Sequence, residues 1–238
     1  MKYITPGGKS PKIYSDLTTE NHILIAGATG SGKSTLINSF IARLLMSNSP
    51  ATAQFIFIDT KRIELYQYRK LPHTINYSDT PEKAINALNY AIKTMECRYN
   101  RMQKNGQKTT TEAHIYIFID EYADLITTHK KQIEQLTTKI IQLGRAAGIH
   151  LIIGTQRPCR EVITGTIKVN LDCKIALRTA SAQDSRNIIG INGAECLPRF
   201  GCGIISNCEG IKHYELPMLR PDALIKYWNS KQCIYSRF

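Results

Sequence analysis

No stretch of this chain approaches the roughly 18 consecutive apolar residues that a membrane-spanning helix needs, so direct membrane insertion is not expected. The opening residues, MKYITPGGKSPK, lack the apolar core of a secretory signal. C-x-x-C pairs are missing too. The seven cysteines (Cys97, Cys159, Cys173, Cys196, Cys202, Cys208 and Cys233) are odd in number, and reduced thiols in a cytoplasmic protein are the expectation. Cys196, Cys202 and Cys208, with His213 beyond, are evenly spaced but lack the close ligand pairs of a zinc site. Acidic residues are scarce: 19 Asp and Glu face 31 Lys and Arg, a formal charge of +12. That surplus favours a polyanionic partner, nucleic acid ahead of a membrane surface. Internal repeats and low-complexity segments are absent, and 238 residues suffice for one large domain with a sizeable core.

Short apolar runs alternate with helical patterns. Strands are expected at Ile23 to Ala26, at QFIFID (Gln54 to Asp59), at HIYIFID (His114 to Asp120), and in IHLIIGTQ, CKIALR and GCGIIS. Helices are expected from Ser34 to Met46, from Pro81 to the stop at Gly106 with Thr80 as N-cap, from Lys130 to Ala147, and in SAQDSRNIIG. This alternation specifies an α/β fold with a mostly parallel central sheet and helices on both faces. Ligands bind such sheets at the carboxyl ends of the strands. The segment 27–34, Asp59, Asp120 with Glu121, and Thr155 with Gln156 all follow expected strands.

The segment GATGSGKS meets the pattern G-x-x-x-x-G-K-[ST] through Gly27, Gly32, Lys33 and Ser34. A loop that wraps a polyphosphate must turn its N–H groups inward, which glycine permits. Lys33 would reach the terminal phosphates and the Ser34 hydroxyl would ligate Mg²⁺. The strand before and the helix after supply the required context, and the helix N-terminus adds partial positive charge. In YIFIDE, four apolar residues precede two acids. Asp120 would hold the Mg²⁺ hydration shell and Glu121 would polarise the attacking water, which favours ATP hydrolysis. The strand FIFID lies between the phosphate loop and these acids, as in motor-type ATPases. The guanine-reading N-K-x-D motif is absent. Gln156, in GTQRP, is a candidate γ-phosphate sensor.

Taken in order, HILIAGATGSGKS, IDTKRIELYQY, IDEYADL, GRAAGIHLIIGTQRP, VITGTIKVN and DSRNIIG make the chain resemble the motor domain of FtsK/SpoIIIE-type DNA translocases. The resemblance runs from about Gly8 to Pro217. It implies a RecA-like P-loop NTPase core of the ASCE type, forming a ring around double-stranded DNA, expected to be hexameric, with Mg·ATP between neighbouring subunits. It places Gly27, Ala28, Thr29, Gly30, Ser31, Gly32, Lys33, Ser34 and Thr35 around ATP. It matches Asp120 and Glu121 to the acid pair and Gln156 to the sensor. Arg145 is the first candidate for an arginine reaching a neighbour's γ-phosphate and Arg186 the second. A surface ion pair is the alternative for either. In REVITGTIKVN, Lys168 is the foremost candidate for a DNA-backbone contact, followed by Arg160 and Lys174. Lys104 and Lys108 are weaker candidates, and a solvated basic loop is the alternative for each.

The resemblance has gaps. Chromosome-moving relatives carry a membrane segment, a linker and an extra subdomain before the motor, and often a winged helix after it. Here the motor is expected over 1–217, with 218–238 making one short helix and a tail. A trimmed motor of this kind fits a plasmid, phage or conjugative element. Two other readings use the same nucleotide site: an ATPase driving protein secretion, and an ATP-gated DNA-binding scaffold that does not travel.

Overall fold

The structure, a computed structural model, describes residues 20–215. The expected C-terminal helix and tail lie outside the described residues. The chain forms strands β1 (His22–Ala26), β2 (Ala53–Ile58), β3 (Thr74–Ser78), β4 (His114–Ile119), β5 (Ile149–Thr155) and β6 (Cys173–Ala176), all but β3 from the expected apolar runs. Two further strands, β7 (Cys202–Asn207) and β8 (Gly210–Glu215), extend the sheet at one edge. The order is β3-β2-β4-β5-β1-β6-β7-β8. The first six in that order run parallel, and β7 and β8 add on antiparallel. In sequence, FIFID does lie between the phosphate loop and the acids. In space the interposed strand is β5, which pairs with β1 on one side and β4 on the other.

Side-chain alternation explains the burial on both faces. Ile23, Ile25, Phe55, Phe57, Phe118 and Ile152 point to one core. Leu24, Ile56, Ile58, Ile117, Ile119 and Ile153 point to the other. The first core is covered by helix α1 (Lys33–Ser47), which buries Leu36, Ile37, Phe40, Ile41 and Leu44. Phe118 sits edge-on to Phe40 at 5.9 Å and stacks on Phe57 at 5.5 Å between ring centroids. Truncating a buried aromatic of this kind to alanine costs about 3–5 kcal/mol. The second core is covered by α2 (Pro81–Asn105) and α3 (Tyr122–Leu143). Thr80 accepts the Lys83 amide at 3.3 Å, Pro81 opens α2, and Gly106 closes it in the left-handed region. Short helices α4 (Gly165–Asn170) and α5 (Ala182–Ile189) follow β5 and β6.

Helix α3 differs from the expectation of Lys130 to Ala147. It starts at Tyr122, with Glu121 as its N-cap, and ends at Leu143. His129, with φ −136° and ψ 46°, breaks its helical geometry into two segments. Thr127, Thr128 and His129 are weak helix formers, and they hid the first segment from the periodicity. Residues 144–148 are a turn rather than helix. Gly144 has no room for a side chain, since a Cβ would stand 2.5 Å from the Ile149 carbonyl and 2.6 Å from that of Ile140. Arg98 of α2, almost fully buried, donates to the carbonyls of Ala147 and Ala113, both at 2.6 Å.

Three histidines meet where β1, β4 and β5 begin. His114 Nδ1 lies 2.9 Å from His150 Nε2, and His22 Nδ1 accepts the Leu151 amide at 3.2 Å. Burial lowers the pKa of His150 to about 3, helped by His114, His22 and Arg98, and that of His22 to about 4 against an opposing pull from Asp172. Both rings fold in the neutral form. Their contribution to stability is complete above the unfolded pKa of about 6.5. It is lost as pH falls below that value, because the unfolded chain then takes up protons that the folded rings refuse. Each ring should remove about 1.4 kcal/mol per pH unit below that point. Urea midpoints should therefore drop between pH 7 and pH 5, and His150→Gln should flatten the decline.

Candidate nucleotide site

Every parallel strand delivers its carboxyl end to one rim of the sheet, and the phosphate loop, Asp59, Asp120, Glu121 and Gln156 collect there. The phosphate loop leaves β1 and is stitched to both neighbouring strands. The Gly27 amide donates to the Thr155 carbonyl at 3.3 Å, and the Ala28 amide to the Arg178 carbonyl at 2.8 Å. Gly30 and Gly32 take φ of 75° and 99°, in the region glycine alone enters freely. Gly27 is required for a different reason. A Cβ there would stand 2.7 Å from Ser31 Oγ and 2.8 Å from Leu177 Cβ. Gly27→Ala is expected to splay the loop and weaken nucleotide binding at least about tenfold, with the fold retained. Titration with a fluorescent ATP analogue, alongside thermal melting, checks this.

The loop fits a polyphosphate. No side chain caps Gly32 at the start of the 15-residue helix α1, so the first amides there are left for an anion. Ser31 Oγ is buried without a hydrogen-bond partner. Lys33 is buried and points at Asp120, its ammonium 2.7 Å from Oδ1 and also donating to the Asp120 carbonyl. Polyphosphate and Mg²⁺ offer each member of this pair a new partner: phosphate oxygens for Lys33, and the metal's hydration shell for Asp120. Ser34 stands in the same first turn of α1. These residues fit Mg·ATP.

Glu121 is buried and heavily engaged. Thr155 Oγ1 donates to it at 2.7 Å, the Gln156 amide reaches both its oxygens at 3.0 and 3.1 Å, and the Ala123 amide lies at 3.4 Å. Gln156 in turn accepts from Thr29 Oγ1 at 2.6 Å. One short chain of contacts thus links the phosphate loop, Gln156 and Glu121. Gly154 makes this closeness possible. A Cβ there would stand 2.5 Å from the Asp120 carbonyl.

Asp59, a candidate from its strand-end position, proves to be a turn staple. It is fully buried and its Oδ2 accepts the Leu65 amide at 2.9 Å. Arg145 lies at the opposite rim, on the turn before β5. The rise of that strand puts it roughly 20 Å from Gln156, out of reach of its own chain's nucleotide loop. Its side chain is exposed and has no hydrogen bond or ion pair among the described residues. Arg186 is held by Asn192 at 2.6 Å and Gln183 at 2.9 Å. Lys168, on α4, donates to the Arg186 carbonyl at 2.8 Å. Burial, then the nearby charges of Lys174 and Arg160, lowers its pKa. The three basic candidates are therefore neighbours. Lys104 and Lys108 sit elsewhere, at the end of α2 and in the loop after it.

Sequence reasoning missed two cations near the site. Lys61 stands 4.0 Å from Glu121 and 3.9 Å from Asp124. Arg199 reaches over the phosphate loop, its Nη2 3.6 Å from where a Gly30 Cβ would be. Lys61 was detectable, two residues beyond a strand end on the functional rim. Arg199 carried no signal, since only the folded loop brings it back.

The FtsK/SpoIIIE family profile matches residues 5–117 and 102–160. Among curated relatives, a DNA translocase FtsK of Chlorobaculum tepidum is 41% identical over 206 residues, covering 78% of this chain and 26% of its own length. One of Leptospira interrogans is 43% identical over 200 residues, covering 76% and 21%. The chain thus spans about a quarter of the length of these relatives. Among solved structures, the monomer form of the pCW3 conjugation coupling protein TcpA with ATPγS superposes with a TM-score of 0.78 at 27% identity, over 89% of this chain and 66% of that one. EssC from Geobacillus thermodenitrificans shares the fold, with a TM-score of 0.80 at 20% identity over 92% of this chain and 45% of that one. With its P-loop ATPase fold and this extent of sequence match, the chain belongs to the FtsK/SpoIIIE family.

Proposed function

We propose that this chain is the motor of an ATP-dependent double-stranded DNA translocase, working as a ring, expected to be hexameric, with ATP at the seams between copies. The observation that carries the reading is a division of labour. A phosphate and acid site occupies one rim of the sheet, and a second, like-charged group is formed by Lys168, Lys174 and Arg160. Concentrated positive charge of this kind suits a polyanion gripped without regard to sequence. The relatives named as DNA translocases support it.

In this reading ATP lies along residues 27–35. Mg²⁺, held through Ser34 and Asp120, would supply charge neutralisation at the phosphates. Lys33 binds the terminal phosphates, and Glu121 takes a proton from the attacking water. Thr29 and Gln156 register the γ-phosphate through their mutual hydrogen bond. Arg145 suits a role toward the neighbouring copy. Its turn is clamped by Arg98, its guanidinium is unpaired among the described residues, and its own nucleotide loop is too distant.

Long duplex DNA is expected to stimulate ATP hydrolysis, and a DNA triplex is expected to be displaced. The DNA affinity should fall steeply with salt, and Lys168→Glu with Lys174→Glu should flatten that dependence. Hydrolysis indifferent to duplex would argue for another cargo, such as a polypeptide. Stimulation without triplex displacement would point to a stationary scaffold.

A further inference from the structure

We propose that Lys61 is a positioning residue for hydrolysis, holding the Glu121 carboxylate in place from the end of the neighbouring β2 connection. The inference rests on Glu121 being the base. Lys61 faces two carboxylates, Glu121 at 4.0 Å and Asp124 at 3.9 Å. Thr60 Oγ1 donates to the same Asp124 oxygen at 3.0 Å. The β2 connection is thereby fastened to the first turn of α3, beside the acid. An exposed ion pair contributes little, but this one has a buried member: Glu121 is 4% exposed. Charge distribution at the rim gives the second argument. Asp120 has Lys33 as its cation at 2.7 Å. Among the described residues, Glu121 has only neutral donors apart from Lys61.

The backbone that aims Lys61 is held by several contacts. Arg62 takes φ 57°, the one non-glycine residue in the left-handed region among the described residues. Such a conformation is strained and persists where its surroundings enforce it. The enforcement is visible. The Arg62 amide donates to the Asp59 carbonyl at 3.2 Å, Arg62 Nε lies 3.2 Å from Asp79, and Asp59 staples the Leu65 amide at 2.9 Å. A solvated lysine would need none of this.

The test is steady-state ATP hydrolysis by Lys61→Met, Lys61→Arg, Glu121→Gln and the Lys61→Met/Glu121→Gln double variant, with thermal melting of each. Lys61→Met is expected to lower kcat about ten- to hundredfold, as misplacement of a reacting group does, with KM for ATP changed less than about twofold. Lys61→Arg should recover most of the loss. The double variant should be no slower than Glu121→Gln alone, because the two residues act as a unit. Wild-type kcat in Lys61→Met, with Glu121→Gln inactive, overturns this role alone. A raised KM at unchanged kcat overturns it in favour of direct nucleotide contact. Full activity in Glu121→Gln overturns the reading of the base and this role together.

Discussion

Glu121→Gln should turn over ATP about a hundred- to ten-thousandfold more slowly than the wild-type chain, the usual loss when a general base is removed. ATP affinity should stay within about twofold. Glutamine keeps the length of the side chain, and its carbonyl oxygen can still accept from Thr155 and the Gln156 amide. What it lacks is an anion able to take a proton. The effect should therefore fall on kcat, and a nucleotide-loaded protein should accumulate. Single-turnover hydrolysis alongside analogue binding separates the two quantities. Unchanged turnover would remove Glu121 from the reaction.

Lys33→Met should have two effects. Nucleotide binding should be lost, because the phosphates lose their buried cation. The unliganded protein should also be destabilised by about 3–5 kcal/mol, the range for removing one member of a buried ion pair. Asp120 would be left 3% exposed with no counter-charge within hydrogen-bond reach among the described residues. Adding Asp120→Asn to Lys33→Met should recover much of the stability and none of the binding. Urea denaturation without nucleotide checks the first effect. An equal urea midpoint in wild type and Lys33→Met would show that the pair contributes nothing to the resting fold.

The strands that could be read in advance are those buried on both faces, because continuous runs such as HILIA and FIFI have no other use in a chain of this size. Strands β3 (TINYS) and β8 (GIKHYE) escaped for the complementary reason. Both lie at sheet edges, β3 half-buried and β8 largely solvent-facing, so their residues carry no apolar run. The phosphate loop and the acid pair were legible because their chemistry is local: adjacent residues, fixed spacing, a strand before. Lys61 and Arg199 act across distances the chain covers only after folding, which spacing cannot record. The site's compactness was also hidden. Nothing in GTQRP shows that Gly154 must lack a side chain so that β5 can lie against the Asp120 carbonyl.

Helix α3 begins just after Glu121, its N-cap, and its second segment reaches the segment that bears Lys168. Glu134 accepts from Thr164, the residue that opens α4, at 2.6 Å. A single helix with a break at His129 therefore joins the proposed acid to the helix that bears Lys168. In the proposed motor, a displacement at the acid would reach α4 as a swing of the outer arm. Stiffening that joint should leave ATP hydrolysis intact and abolish the translocation it drives.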